Sequence, residues 1–188
     1  MHPDSDLQIL MELYQEGDLA AATTLIHRLS PQLHRFFVVQ LASRAEADDL
    51  LQETWLRIHK ARNTYRSGEP VLPWLYAIAR HIRVDHYRKE RRTGARHRRL
   101  EDAPELAARP PEPSGDTPEL AAILALLPDS QREVLEMMKV EGMSLEEVAR
   151  ATSSSVGSVK QKAHRAYENL RKRLSGVEFV KRHSGGGS

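Results

Sequence analysis

Five of the ten prolines in this 188-residue chain fall between Pro104 and Pro118, in the stretch "PELAARPPEPSGDTP". Proline fixes its own φ and has no N–H to give a helix or a sheet ladder, so the stretch cannot sustain a helix past Ala108 and reads as an extended connection. The chain is therefore expected to fold as two units, one on each side. Small units hide a modest share of their surface, so each needs closely packed elements to build a core. There is no cysteine. Disulfides and thiolate metal or nucleophile sites are thus excluded, which suits a reducing cytoplasm and leaves stability to packing.

Helical periodicity recurs along the chain and no segment alternates as a half-buried strand does, which gives an all-α fold class. Leu7, Leu10, Met11 and Tyr14 form a first apolar stripe. A second helix is expected after Gly17, through Leu25, Ile26 and Leu29, and Pro31 is expected to open a third with Phe36, Phe37 and Leu41. The helix in "EADDLLQETWLRIHKA" should bury Leu51, Trp55 and Ile58 and leave Asp49, Gln52 and Glu53 on the other side. After the loop "NTYRSGEPVLP", Pro73 suits a first helical turn, where its missing N–H costs nothing, and Trp74, Leu75, Ile78 and Ile82 give that helix a buried face.

Beyond the proline-rich segment, "LAAILALL" stops at Pro128, and a helix with Val134, Leu135 and Met138 ends at Gly142. Ser144 and Glu147 then match a capping box, so a short helix should run to about Ala151. After the polar turn "TSSS" a longer basic helix buries Val156, Val159, Ala163, Ala166, Leu170 and Leu174. A short helix, a tight turn and a longer basic helix make a helix-turn-helix.

Net charge is only +2, but its signs are sorted along the chain. Nine Lys or Arg stand against Asp85 and Glu90 between Arg80 and Arg99, and five acids against Arg109 between Glu101 and Asp116. With Val159 at the centre of the buried face, steps of about 100° per residue put Gly157, Gln161, His164, Arg165 and Glu168 on the far side. Ser158, Lys160 and Lys162 flank them. Arg can pair bidentately with guanine, Gln with adenine, and flanking lysines can hold phosphates, so this face suits a major groove. Around the basic run, Tyr65, Arg66, Trp74 and Tyr76 interleave aromatics with arginine, the combination that stacks and neutralises single-stranded DNA, although both tryptophans fit a core role better.

No histidine pair has H-x-x-x-H spacing with a carboxylate, and histidines among arginines are poor cation ligands, so no metal or cofactor is expected. There is no phosphate-cradling glycine loop, nucleophile elbow or paired-carboxylate motif, so catalysis is not expected. The longest apolar run, Leu120 to Leu127, has eight residues, against the roughly 20 of a membrane-spanning helix. With no signal pattern in "MHPDSD", the expectation is a soluble, cytoplasmic protein.

Together "EADDLLQETWLRIHKA", "PWLYAIARHIRVDHYRKERR" and "LPDSQREVLEMMKVEGMSLEEVARATSSSVGSVKQKAHRAYENLRKRL" resemble bacterial RNA polymerase sigma factors of the extracytoplasmic-function (ECF) type, over about Leu7 to Leu174. The resemblance implies four parts: a region 2-like domain over 5–93, an acidic linker over 94–117, a region 4-like helix-turn-helix domain over 118–175, and a tail over 176–188 whose "SGGGS" looks like an added linker. It implies that Asp48, Asp49, Gln52 and Glu53 dock on core RNA polymerase. It further implies that Tyr65, Arg66, Arg80, His81 and Arg88 capture the unpaired minus-ten strand, and that Ser158, Lys160, Gln161, Lys162, His164 and Arg165 face the minus-thirty-five element.

Core RNA polymerase, promoter DNA and an anti-sigma factor are the implied partners, with no small-molecule substrate. The acidic linker is expected to occupy the positively charged channel of nascent RNA. Three departures stand out: His81 replaces the usual Asn, Ser153 and Ser154 replace the Gly and apolar residue of the turn, and the large extra domain of primary sigma factors is absent. The competing reading is a helix-turn-helix regulator that binds duplex DNA without polymerase, as a dimer on a palindrome. A nucleic-acid-processing enzyme is the third, and it lacks a catalytic constellation.

Overall fold

The computed structural model describes residues 3–41, 43–93 and 118–183, with side chains over 5–41, 43–92 and 122–173. The expected linker over 94–117, including Glu101, Asp102, Glu105, Glu112 and Asp116, and the tail end over 184–188 lie outside the described residues. Within them every regular element is helical, and no helix is long and apolar enough to cross a membrane.

The first unit has four helices: α1 (Pro3–Gln15), α2 (Leu19–Gln40), α3 (Arg44–Ala61) and α4 (Val71–Thr93). Gly17, at φ +97°, makes the left-handed turn out of α1. Asp18 then caps α2, accepting from the N–H groups of Ala20 at 2.8 Å and Ala21 at 3.0 Å. Pro31 does not open a new helix, as the sequence led us to expect; it lies inside α2. The apolar stripe Leu25, Leu29, Leu33, Phe36 is continuous across it, and burying that stripe offsets the one backbone hydrogen bond that proline removes.

Ser43 caps α3. Its buried residues are Ala47, Leu50, Thr54 and Ile58, while Leu51 and Trp55 lie half-buried at the edge of the core, so the inner face is rotated by about one residue from the expected one. Small Ala47 and Thr54 let the neighbouring helices come close, and the Thr54 hydroxyl is satisfied by the Leu50 carbonyl at 2.7 Å. Val71, Leu75, Tyr76, Ala79 and Ile82 bury the inner face of α4, and Pro73 sits in its first turn as expected.

The second unit contains α5 (Pro118–Ala125), α6 (Asp129–Leu135), a π-helical turn (Glu136–Val140), α7 (Leu145–Ala151) and α8 (Val156–His183). The Arg132 guanidinium gathers the carbonyls of Leu124, Ala125 and Leu127 at 3.0, 3.1 and 2.8 Å, satisfying the end of α5 and the turn after it. Ser144 and Glu147 form the expected capping box of α7. That helix ends with the Ser154 N–H on the Ala149 carbonyl and the Ser153 N–H on Arg150, a Schellman closure. Its left-handed position is filled by Ser153 at φ +50°. The last helix continues to His183, past the end expected near Leu174.

The two units touch. α7 packs on α4, α5 and α6 meet α2, and one apolar cluster runs from Met11 through Phe36 and Ile82 to Val134, Val148 and Ala166.

Candidate nucleic-acid interface

Three surfaces bear the residues singled out above. On α3, Asp48, Asp49, Gln52 and Glu53 are all exposed. Asp48 lies 2.9 Å from His34 Nε2, and Glu53 pairs with Arg57 at 3.4 Å. Beside Gln52 and Glu53, one helical turn on, lies Leu56, 63% exposed. An exposed leucine bordered by acids is a contact surface for a partner with apolar and basic groups. Sequence reasoning passed over Leu56, though its position outside the buried period was the available signal.

The second surface is the loop before α4 together with that helix. Tyr65 is buried, 4% exposed, its ring edge-on to Trp74 at 5.7 Å and its hydroxyl donating to the Glu69 carbonyl. The Gln15 amide holds the Arg62 and Tyr65 carbonyls at 2.7 and 2.9 Å. Tyr65 therefore anchors the loop from within, and Arg66 is the exposed one of the pair. Tyr76, grouped with the stacking aromatics, is fully buried against Phe36 at 5.3 Å, so no base can reach it.

His81 is exposed and its Nδ1 lies 2.7 Å from the Ala77 carbonyl. A carbonyl only accepts, so Nδ1 holds the proton and Nε2 of the neutral ring is an acceptor. Arg88 is exposed and pairs with Asp85 at 3.7 Å. Arg80 is 28% exposed and contacts Glu133 of α6 at 3.2 Å, as does Arg83 at 3.1 Å. Tyr87, with the Arg91 guanidinium 5.8 Å over its ring, is a partly exposed stacking pair that the sequence reading missed.

The third surface is the outer face of α8. Lys160, Gln161, His164 and Arg165 are exposed, and Ser158 and Lys162 half-buried. Ser155 Oγ accepts from the Ser158 N–H at 3.2 Å at the start of the helix. His164 Nε2 lies 3.6 Å from Glu168. Tyr167, 44% exposed, adds an aromatic. The inner face is fixed by Val159, Ala163 and Ala166, and Asn169 donates to Gln131 of α6 at 2.8 Å, so α8 cannot rotate relative to α6.

Between α3 and α4, Glu46, His86 and Glu90 bring ligand atoms within 4.8 Å of one another, a grouping that helical spacing within one element could not reveal. Both carboxylates already have another polar or charged partner, so the cluster needs no ion to hold it.

The sequence pattern described as Sigma-70 region 2 matches residues 25–93, and that described as Sigma-70, region 4 matches residues 118–170. RNA polymerase sigma factor CarQ of Myxococcus xanthus is 35% identical over 171 residues, covering 90% of this chain and 98% of the relative. The chain belongs to the ECF sigma factors. ECF RNA polymerase sigma factor SigF of Caulobacter vibrioides is 32% identical, covering 91% of this chain and 95% of the relative. Among solved structures, the sigma factor RpoE in complex with the anti-sigma factor NepR from Bartonella quintana superposes with a TM-score of 0.61 at 23% identity, covering 81% of this chain and 96% of that one. In this ECF sigma factor the region 2 match ends on the last residue of α4 and the region 4 match begins on the first of α5, so the proline-rich segment falls between them.

Proposed function

We propose that this sigma factor brings core RNA polymerase to specific promoters and starts DNA melting, with α3 as the polymerase dock, the loop and α4 as the minus-ten surface, and α8 as the minus-thirty-five reader. The observation that carries the reading is the separation of charge by surface. The outer face of α3 presents Asp48, Asp49, Gln52 and Glu53, while α4 and α8 present arginine, lysine and histidine. An acidic face cannot lie on DNA, and a basic one can.

Asp48, Asp49, Gln52, Glu53 and Leu56 form the dock. Arg66, Arg80, His81 and Arg88 meet the single strand, with Tyr65 holding the loop in shape. Gln161, His164 and Arg165 read base edges, and Ser158, Lys160 and Lys162 hold phosphates. The reading assigns no catalytic step, metal or small-molecule substrate to the chain and places it in the bacterial cytoplasm with its polymerase. An anti-sigma factor is the proposed regulator, supported by the structure of RpoE with NepR.

The test is transcription from a genomic-fragment library by bacterial core polymerase, alone, with this protein, and with the Asp49→Ala, Glu53→Ala double variant. New start sites that need the unmodified protein and fade with the variant are expected. No start sites, together with tight binding of duplex DNA by the protein alone, would favour a polymerase-independent regulator.

A further inference from the structure

Glu46, His86 and Glu90 each bring one ligand atom within 4.8 Å of the other two. None of the three belongs to the docking or DNA-binding surfaces. His86 and Glu90 stand one turn apart on the same face of α4, and Glu46 comes from the first turn of α3, so the three atoms meet across the gap between two helices. All three residues are half-buried. The Nδ1 atom of His86 is buried and has no hydrogen-bond partner among the described residues.

We propose that these three side chains bind a divalent transition-metal cation, Zn2+ before the others, which clamps the first turn of α3 to the C-terminal part of α4. The donor set selects the ion. One imidazole nitrogen with two carboxylate oxygens suits zinc, which takes such ligands at about 2.0–2.2 Å and accepts water in a fourth position. Magnesium and calcium favour sites built from oxygen alone, and Cu(I) favours thiolates, which a chain without cysteine cannot supply. Two carboxylates cancel the charge of the ion, so the filled site is neutral in its half-buried place. Ligands of one tetrahedral zinc lie roughly 3.5 Å apart, and small turns of the side chains close the difference without moving either helix.

The arginines that disfavour a cation around His86 in sequence are engaged elsewhere in the fold. Arg83, one turn before it, points to Glu133 of α6 at 3.1 Å, and Arg88 pairs with Asp85 at 3.7 Å. The Arg91 guanidinium lies over the Tyr87 ring. Each carboxylate has another polar or charged partner, so the helices hold together without the ion and the site can fill and empty. Its occupancy then sets how firmly the helix with Asp48 and Asp49 is fixed to the helix with His81 and Arg88. That consequence rests on the reading of α3 and α4 as dock and strand surface; the site itself does not.

The test titrates ZnCl2 into the full chain by calorimetry, without polymerase or DNA. The unmodified chain should take up one ion at this site. His86→Ala, Glu46→Gln and Glu90→Gln should each weaken that binding at least tenfold, the lower end of the loss that even residues behind the ligands of such sites cause when replaced. His27→Ala removes an exposed histidine of α2 and should bind as the unmodified chain does. Glutamine keeps the shape of glutamate and alanine suits a helix, so the circular dichroism of the variants without zinc should match that of the unmodified chain.

At a hundredfold excess of zinc over its Kd, the folding equilibrium shifts about a hundredfold toward the native chain. The thermal midpoint should rise with it in the unmodified chain and in His27→Ala, and the rise should fall by about half or more in the three ligand variants. Zinc binding that His86→Ala retains in full overturns the site. Loss in His86→Ala and Glu90→Gln with Glu46→Gln unchanged overturns the clamp, because the ion then sits on α4 alone. Neither result bears on the promoter reading, which transcription with core polymerase tests.

Discussion

Trp55 of α3 donates its indole N–H to the Ser30 hydroxyl of α2 at 2.9 Å, one residue before the proline that α2 carries inside it. The bond pins α3 at the height where its outer face presents Gln52 and Glu53. Ser30→Ala leaves a half-buried indole N–H without this acceptor, which costs about 1–3 kcal/mol when such a group finds no other. The urea midpoint of the first unit should fall accordingly, and an unchanged midpoint would mean that water replaces the hydroxyl.

Ser153 stands at the left-handed position that closes α7, where side chains with a Cβ lose roughly 1–2 kcal/mol relative to glycine. Ser153→Gly should raise the thermal midpoint of the second unit by about 1 kcal/mol equivalent, after the extra chain entropy of glycine is deducted. Ser153→Val should lower it. Duplex binding should be preserved in the glycine variant, since α8 begins beyond the turn at Val156.

The all-α class, the capping box of α7 and the inner face of α8 at Val159, Ala163 and Ala166 were legible because each rests on spacing within one helix. What involves two elements was not. Pro31 reads locally as a start signal, and the stripe from Leu25 to Phe36, buried against the neighbouring helices, keeps α2 whole. Tyr65 and Tyr76 have the composition of stacking residues, but packing against Trp74 and Phe36 turns them inward. Glu133, Glu136 and Glu141 look like ordinary surface acids in sequence, and become buried because another unit closes over them.

Leu56 is an exposed apolar side chain at the edge of an acidic face, one helical turn past Gln52 and Glu53. An apolar side chain that is exposed in the free protein and buried in the contact loses its transfer free energy on truncation, about 1.5–3 kcal/mol for a fully buried leucine. Leu56→Ala should weaken binding of core RNA polymerase by more than tenfold in a surface-immobilised assay. Its thermal midpoint should not change, because the side chain contributes little to the core. Equal affinity for the two proteins would remove Leu56 from the dock and leave the acids alone.

Burial holds the Glu136 carboxyl well above its ordinary value of 4.5, and the neighbouring charge of Glu141 pushes in the same direction. Arg35 and Arg132 oppose, as does the Gln40 amide, near but outside hydrogen-bonding geometry. The Tyr76 hydroxyl, itself pushed up first by burial and then by Glu141 and Glu136, stays neutral beside it. The folded chain therefore keeps a proton on Glu136 over a range where the unfolded chain has lost it. Its contribution to stability is complete below the ordinary value and is lost as pH rises through the raised one. As pH rises above the ordinary carboxyl value of 4.5, stability of the wild type relative to Glu136→Gln should decline, because the amide is neutral throughout. Parallel curves of thermal midpoint against pH for the two proteins would show that Glu136 does not titrate there. A wild type that gains stability relative to the variant toward high pH would reverse the sign and place a net positive field, rather than burial and Glu141, in control of this carboxyl.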